Sequence, residues 1–96
     1  MCNYNNTVRI SFDPGKDVAN TVKHGISLAM AAEIDWSDVM ARPDTRSDYR
    51  ELREIGFGFI GDRPYCVVFT QRGETFHVIS LRKANTREVQ DYAASY

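Results

Sequence analysis

The stretch REIGFGFIGDRPYCVVFTQRGETFHVISLR, residues 53–82, decides the fold. Over residues 53–60, apolar side chains alternate with glycine or polar residues, which is the period of a half-buried strand. Glycine, proline and acidic residues mark turns at 61–64 and 71–74, and these turns set off further strands at 65–70 and 75–82. The pattern therefore predicts three consecutive antiparallel strands joined by short turns, with the mostly apolar second strand in the middle.

The part of the chain before this meander predicts two short helices. Asp13 and Pro14 suit the N-cap and the first position of a helix, and Gly25 suits its end. Ser27 caps a second helix, which runs from residue 28 to about residue 34. The segments around these helices are predicted as a strand at 7–12, a strand at 36–40 and a loop at 42–48.

The part after the meander predicts one more helix. Asn85 and Glu88 have the spacing of a capping box. An apolar stripe at helical spacing follows them, formed by Val89, Tyr92, Ala93 and Tyr96. The elements together predict a single α+β domain over residues 1–96, in which an antiparallel meander sheet of three to four strands carries two N-terminal helices and one C-terminal helix.

Composition narrows the class of protein. The chain has 96 residues, with 12 basic and 13 acidic side chains and a net charge of −1. This balance argues against a protein that coats nucleic acid along its length, although it permits a local basic site. No apolar run approaches the roughly 20 residues of a membrane helix, and no secretory pattern follows Met1. We therefore expect a cytoplasmic protein without membrane contact.

Metal and disulfide chemistry are not indicated. The two cysteines, Cys2 and Cys66, form no CxxC motif, and together with His24 and His77 they show no metal-ligand spacing. We predict no metal, no cofactor and a core position for Cys66.

The first predicted helix has two chemically different faces. Its apolar face, which is predicted to pack on the sheet, consists of Val18, Ala19 and Val22. Its other face consists of Lys16, Asn20, Lys23 and His24. Two cations, an amide and an imidazole suit a phosphate backbone. The same spacing also fits a solvated face whose cations favour the helix C-terminus.

A second group of cations lies at predicted strand ends. Arg53 begins the first strand of the meander and Arg82 ends the third. An arginine at the edge of an apolar strand face either extends to solvent or clamps an anion. Lys83 follows Arg82 just before the last helix, where backbone N–H groups add to the positive charge. His77, within the third strand, is a weaker candidate, because a lone strand histidine more commonly packs or is solvated.

Two separated motifs span most of the chain. The first is FDPxKxxxNxxKHGIS, residues 12–27, and the second is VISxRKAxxRExxxY, residues 78–92. Between them lie Glu51-x-Arg53 and the hairpin motif Thr70-x-Arg72-Gly73. With these motifs the chain resembles the BrnT toxins of bacterial type II toxin–antitoxin modules, and the resemblance runs from about residue 8 to residue 93.

The resemblance implies more than the spacing shows. It implies a RelE-like fold and a metal-independent endoribonuclease that cuts RNA and inhibits translation. It also implies a BrnA-type antitoxin with a ribbon-helix-helix DNA-binding domain, so operator DNA is reached only through the antitoxin. Free toxin is expected to be a monomer and the complex a heterotetramer. Side chains that would anchor the antitoxin, if exposed, are Trp36, Phe57, Phe59 and Tyr65.

The resemblance also assigns residues to the chemistry. Without a metal, the RNA 2′-OH is the nucleophile, and it needs a base, an acid for the leaving oxygen and cations for the phosphorane charge. The residues assigned to catalysis are Lys23, His24, Arg53 and Arg82, with His24 as the acid–base group. The residues assigned to RNA binding are Lys16, Asn20, His77 and Lys83.

One position departs from the family pattern. The family usually carries a basic residue, commonly arginine, where this chain has His77. A second hypothesis therefore stays open, in which the protein is a weak or inactive nuclease that acts mainly as a binding module in an antitoxin–toxin repressor complex.

Overall fold

The fold is built on one mixed sheet. The computed structural model describes residues 9–45 and 51–95, and in these ranges the chain forms a five-stranded sheet of order β1-β5-β4-β3-β2. The strands are β1 (Arg9–Ser11), β2 (Met40–Pro43), β3 (Glu54–Ile60), β4 (Arg63–Arg72) and β5 (Thr75–Lys83). The helices of the same ranges are α1 (Pro14–His24), α2 (Thr86–Ser95) and two 3₁₀ helices, Leu28–Glu33 and Trp36–Asp38. None of them is long and apolar enough to cross a membrane.

The predicted meander is confirmed. Strands β3, β4 and β5 pair antiparallel in sequence order, and β4 lies in the middle of the sheet. Gly61 and Gly73 have φ angles of 63° and 62° in the two connecting turns, a conformation that favours glycine. The α+β class is confirmed with them.

The two edges of the sheet differ from the prediction. Strand β1 pairs parallel with β5, so the sheet is mixed rather than antiparallel and has more strands than predicted. Only three residues of β1 pair, and their alternation predicts a strand without indicating its partner or direction. Residues 7 and 8 of this predicted strand lie outside the described ranges.

The other edge strand, β2, lies later in the chain than the strand predicted at 36–40. The strand predicted at 36–40 is wrong over residues Trp36–Asp38, which form a 3₁₀ helix. Strand β2 begins at the last residue of that prediction, Met40, and extends to Pro43, within the predicted loop. The Trp36 indole stacks on Phe76, with ring centroids 4.5 Å apart, and its Nε1 donates to the Ala31 carbonyl. These contacts hold residue 36 against the core instead of in the sheet. The last residues of the predicted loop lie outside the described ranges.

Two glycines of β3 permit close packing of the preceding segment. A Cβ on Gly58 would lie 2.7 Å from Ile34 Cγ2 and 2.9 Å from Val39 Cγ2. A Cβ on Gly56 would lie 2.9 Å from the Met40 carbonyl oxygen. The alternation that predicts β3 therefore also leaves room for the 3₁₀ segment against one face of the sheet.

The main core lies on that same face. Its largest fully buried side chains are Leu28, Val67, Val78 and Leu81. A smaller cluster occupies the opposite face, where Phe57, Cys66 and Ala84 pack with residues of α2. There the Tyr92 hydroxyl donates to the Ile55 carbonyl at 2.9 Å. The core position predicted for Cys66 is confirmed, while Cys2 lies outside the described ranges.

Helix α1 is oriented opposite to the prediction. Val18 and Val22 are 65% and 84% exposed, whereas Asn20 is 7% exposed. Strand β1 pairs with β5 only as far as His77, so the Leu81 backbone lies beyond it. Buried backbone groups need partners, and the amide of Asn20 supplies them. Hydrogen bonding rather than apolar packing therefore decides which face of α1 turns inward.

The N-terminal half of α1 is also held by polar contacts. Asp17 Oδ1 accepts hydrogen bonds from Ser27 Oγ at 2.9 Å and from the Leu28 backbone N–H at 2.7 Å. The predicted caps at Asp13 and Ser27 are confirmed, because each side chain accepts from a backbone N–H of its helix. The helix predicted after Ser27 is a 3₁₀ helix.

Candidate active site

A cavity of about 330 Å³ opens between the end of α1 and the sheet face opposite the main core. Its lining residues are Lys23, His24, Arg53, Ile55, Cys66, Val68, Ile79, Ser80 and Arg82. The four residues predicted to act in catalysis thus meet at one place. The cavity wall contains three cationic side chains and no carboxylate among the residues that the structure describes, so it favours an anion.

The end of α1 carries the first two of these residues. Lys23 and His24 fill the last turn, and Gly25 ends the helix with φ of 76° while its N–H donates to the Thr21 carbonyl. The abrupt end leaves both side chains at the cavity rather than continuing the helix past it.

Asn20 fixes this helix end against the sheet. Its Nδ2 donates to the Leu81 carbonyl at 2.9 Å and to the Ile26 carbonyl at 3.0 Å, and its Oδ1 accepts from the Leu81 N–H at 3.2 Å. Lys23 and His24 follow Asn20 by three and four residues and therefore share its side of the helix. Since Leu81 precedes Arg82, the same contact sets α1 relative to Arg82. These hydrogen bonds indicate a positioning role for Asn20, and since Asn20 also lines an adjoining cavity, the direct RNA contact predicted for it stays a prediction.

Arg82 is held by a carboxylate of α2. Its Nη2 donates to Glu88 Oε2 at 2.9 Å and its Nη1 donates to Oε1 at 3.2 Å. The Glu88 backbone N–H donates to Asn85 Oδ1 at 2.7 Å, and Oε1 accepts from the Asn85 N–H, which confirms the predicted capping box. The Arg82 side chain remains 37% exposed and lines the cavity.

This ion pair changes both proton affinities. Hydrogen bonds from Arg82 and from the Asn85 backbone hold the pKa of Glu88 below its ordinary value. The pKa of Arg82 is raised, chiefly by the hydrogen bond to Glu88. A bidentate carboxylate also fixes the plane of a guanidinium. The sequence predicts Glu88 only as part of a helix cap, and its pairing with Arg82 was missed. The one sequence feature that relates the two residues is their separation of six positions.

Arg53 enters the cavity from the segment before β3. Its backbone carbonyl accepts from the Asp44 N–H at 2.7 Å. The preceding residue, Leu52, accepts a hydrogen bond on its carbonyl from Thr70 Oγ1 at 2.6 Å. These backbone contacts fix the segment that carries Arg53, whose half-buried side chain lines the same cavity as Arg82.

A register shift in β5 lies in the sheet side of the cavity wall. Val68 pairs with Ser80, while Phe69 pairs with Val78, so Ile79 is an extra residue in β5. Both Ile79 and Ser80 line the cavity, which regular alternation would not allow. The sequence carries no signal for this bulge, and these lining residues were missed.

The remaining predicted RNA-binding residues lie in different places. Lys16 lines an adjoining cavity of about 170 Å³, which shares Lys23, His24, Ile79 and Ser80 with the first. His77 lies further along β5, where its Nδ1 shares a hydrogen bond of 2.8 Å with Ser11 Oγ, and it lines neither cavity. Lys83 is exposed at the end of β5 and also lines neither.

Metal-ligating side chains are dispersed. Within residues 9–45 and 51–95, no three His, Cys, Asp or Glu side chains lie close enough together to hold a metal ion. Cys66 lies in the cavity wall as a buried thiol.

The geometry defines a class first: a small α+β protein whose helix end and sheet face form a cationic cavity suited to phosphate. A family model described as "Ribonuclease toxin, BrnT, of type II toxin-antitoxin system" matches residues 12–88. The chain therefore belongs to the BrnT family of ribonuclease toxins from type II toxin–antitoxin systems, and the resemblance noted from its motifs is confirmed. A search of curated proteins found no match.

Proposed function

We propose that this toxin is a metal-independent endoribonuclease that inhibits translation by cutting RNA. The observation that carries the proposal is the convergence of Lys23, His24, Arg53 and Arg82 on one cavity. Three cations and an imidazole are the kinds of group that a transesterification at phosphorus requires. The chain belongs to a family of ribonuclease toxins, and this membership supports RNA as the substrate class.

The proposed reaction uses the RNA itself as nucleophile. The 2′-oxygen loses its proton and bonds to the adjacent phosphorus, while the bond from phosphorus to the 5′-oxygen breaks and that oxygen gains a proton. The products are a 2′,3′-cyclic phosphate and a 5′-hydroxyl. His24 is the acid–base group, because its imidazole accepts or donates a proton at the cavity mouth.

The cations stabilise the charge that develops on the phosphorane oxygens. Arg53 and Arg82 approach from the sheet and Lys23 from the helix end, so the phosphate lies between them. A fixed donor of this kind is commonly worth about 10²–10³ in kcat. Asn20 and Glu88 act through the residues that they hold, by fixing the helix end and the Arg82 guanidinium.

RNA flanking the scissile bond follows the connected cavities. The adjoining cavity extends from Lys23 and His24 to Lys16, which supplies a further cation for the backbone. His77 and Lys83 lie outside both cavities and are assigned at most peripheral contacts with RNA.

The partner side of the proposal follows the family. We propose a BrnA-type antitoxin with a ribbon-helix-helix domain, a heterotetrameric complex, operator contact only through the antitoxin, and a monomeric free toxin in the cytoplasm with a RelE-like fold. Membership in a toxin–antitoxin family supports the antitoxin partner itself.

The test is inducible expression in a bacterial host, scoring growth and total RNA. Wild-type protein is expected to arrest growth and to yield fragments with 5′-hydroxyl ends, and purified protein should cleave RNA in EDTA. Arg82→Ala should abolish both effects. Arg63→Ala is the matched control, because Arg63 is an exposed arginine of β4 outside the cavity, and it should remain toxic.

The second candidate function is a binding module for the repressor complex. The observation that favours it is His77, where the family usually carries a basic residue. Normal growth with soluble wild-type protein would contradict the nuclease and favour this alternative. His77→Arg would then be the first variant to test for recovered toxicity.

A further inference from the structure

A second cavity, of about 380 Å³, opens between helix α2 and strands β2 and β3. Its lining residues are Arg42, Phe57, Glu88, Asp91 and Tyr92. None of these residues lines the candidate active site. The proposed reaction gives this second cavity no role, although its lining contains a cation, two aromatic rings and two carboxylates.

The strand pairing places the second cavity beside the active site. Phe57 pairs with Cys66, and Arg42 pairs with Ile55. Paired residues project from the same face of a sheet. Because Cys66 and Ile55 both line the active site, the second cavity lies on the same sheet face, one strand further toward the β2 edge.

Helix α2 connects the two cavities by hydrogen bonds. Glu88 lines the second cavity and accepts a hydrogen bond of 2.9 Å from Arg82, which lines the active site. Tyr92 lines the second cavity, and its hydroxyl donates to the Ile55 carbonyl at 2.9 Å. The second cavity therefore adjoins the proposed position of the scissile phosphate, where the flanking nucleotides lie.

The lining of the second cavity combines a held guanidinium with a hydrogen-bond acceptor. The Arg42 guanidinium carbon lies 4.1 Å from the centre of the Tyr92 ring, and Nη2 donates to the Tyr92 carbonyl at 3.4 Å. These contacts fix a planar cation in the cavity wall. Asp91 is exposed at the same cavity, and no residue in the described ranges donates a hydrogen bond to its carboxylate.

These groups suit a nucleobase better than another phosphate. The carboxylates of Glu88 and Asp91 repel a phosphate, so the RNA backbone is disfavoured here. Unstacked bases of RNA stack on arginine guanidinium planes and form hydrogen bonds through their edges. Both Glu88 oxygens already accept from Arg82, which leaves Asp91 as the carboxylate that can read a base.

We propose that the second cavity binds a guanine base next to the scissile phosphate. The base stacks on the Arg42 guanidinium. Guanine presents two adjacent donors, N1–H and the N2 amino group, which match the two oxygens of the Asp91 carboxylate. Uracil has a single N–H between two carbonyl groups and lacks the second donor. The inference rests on the RNA cleavage proposed above and adds the base that the site selects.

The first measurement separates base recognition from cleavage. The probes are two short oligonucleotides of 2′-deoxynucleotides, which lack the nucleophilic hydroxyl and are not cut. One contains deoxyuridine alone, and the other contains a single central deoxyguanosine. Fluorescence anisotropy gives the Kd of each probe, and wild-type protein should bind the deoxyguanosine probe about tenfold more tightly.

Three variants locate this preference. Asp91→Asn keeps the size of the side chain and replaces one acceptor by a donor, so the two probes should then bind within about twofold of each other. Asp38→Asn is the matched control, because Asp38 is exposed in the 3₁₀ segment on the opposite face of the sheet, and it should keep the tenfold preference. Arg42→Lys keeps the charge but removes the planar group, and it should weaken binding of the deoxyguanosine probe by about tenfold.

The position of the cuts is an independent readout. Sequencing of the 5′-hydroxyl ends should show guanine enriched beside the cut for wild-type protein and not for Asp91→Asn. Cleavage without this enrichment, equal binding of the two probes by wild-type protein, or an unchanged preference in folded Asp91→Asn would overturn the inference and leave the nuclease standing. Unchanged binding by Arg42→Lys would overturn the stacked position of the base.

The remaining outcomes separate the inference from the proposed function. Preferential binding of the deoxyguanosine probe without cleavage of RNA would contradict the nuclease and support the base site alone. Wild-type protein that is folded but neither binds the probes nor cleaves RNA would overturn both.

Discussion

The two faces of the sheet use the same strands for opposite purposes. On one face, Val67 and Leu81 are completely buried in the main core. On the other face, their neighbours Cys66, Val68 and Arg82 line an open cationic cavity. Because side chains alternate along a strand, packing on one face holds the functional groups of the other in place. The comparison teaches that stability and chemistry are divided between adjacent residues.

The two helices show a matching contrast. Helix α2 packs apolar residues on the sheet, where the Tyr92 ring contacts Phe57 with centroids 4.7 Å apart. Helix α1 is held by the hydrogen bonds of Asp17 and Asn20 and leaves Val22 in solvent. Helix α1 is thus positioned by hydrogen bonds, whereas helix α2 is positioned by apolar packing and by the ion pair between Glu88 and Arg82.

The largest expected effect is a loss of stability on truncating a side chain of the main core. Leu81→Ala removes a fully buried side chain, and such truncations cost about 3–5 kcal/mol of unfolding free energy. Arg82→Ala, one residue away, should lower stability much less while abolishing RNA cleavage. Denaturant titration and cleavage assays at a temperature where both variants are folded would check this division. Comparable loss of activity in folded Leu81→Ala would contradict it.

The next effect tests the polar anchor of α1. Asn20→Ala leaves the Leu81 backbone N–H and carbonyl without their partner, and an unpaired buried group costs about 1–3 kcal/mol. We expect a loss of about 2–3 kcal/mol in denaturant titration, together with slower RNA cleavage, because the helix end shifts. Val22→Ala is the matched control on the same helix. Because the Val22 side chain is exposed, the unfolding free energy of this variant should stay within about 0.5 kcal/mol of wild type.

These contrasts define what the sequence predicts well. The meander follows from alternation and turn residues, since both are local signals. The catalytic residues follow from the family motifs, and the structure brings Lys23, His24, Arg53 and Arg82 to one cavity. Their roles stay predictions, because geometry alone does not test them.

Other features depend on long-range contacts that no local pattern encodes. The orientation predicted for α1 is wrong, because apolar periodicity carries no information about the hydrogen bond between Asn20 and Leu81, which are 61 residues apart. The parallel pairing of β1 with β5 and the bulge at Val68/Phe69 likewise depend on the assembled sheet. The extent of the cavity was therefore beyond prediction.

The smallest effect concerns the ion pair that links α2 to the cavity. Glu88→Gln keeps the shape of the side chain but removes the charge that fixes the Arg82 guanidinium. We expect kcat/KM for RNA cleavage to fall by about tenfold, less than in Arg82→Ala, because Arg82 is still present but less well oriented. Asn85→Ala is the control, since it removes the side-chain acceptor of the capping box and leaves the carboxylate and Arg82 unchanged. Equal activity of the two variants would show that Glu88 acts only as a helix cap.

The pH dependence of stability separates the two roles of Glu88, which are pairing with Arg82 and capping α2. The pKa of Glu88 is lower in the folded chain than its ordinary value of 4.5, so the ionised side chain stabilises the fold at neutral pH. That contribution is lost as the pH falls from about 4.5 through the lowered folded pKa, because the unfolded chain then binds the proton more readily. Wild-type protein should therefore lose stability more steeply with acid than Glu88→Gln does, while Asn85→Ala should retain part of the wild-type slope through the Arg82 pair. Parallel stability curves for wild type and Glu88→Gln in acid would show that the ion pair does not stabilise the fold, and the orientation of Arg82 would then have to come from the cavity walls alone.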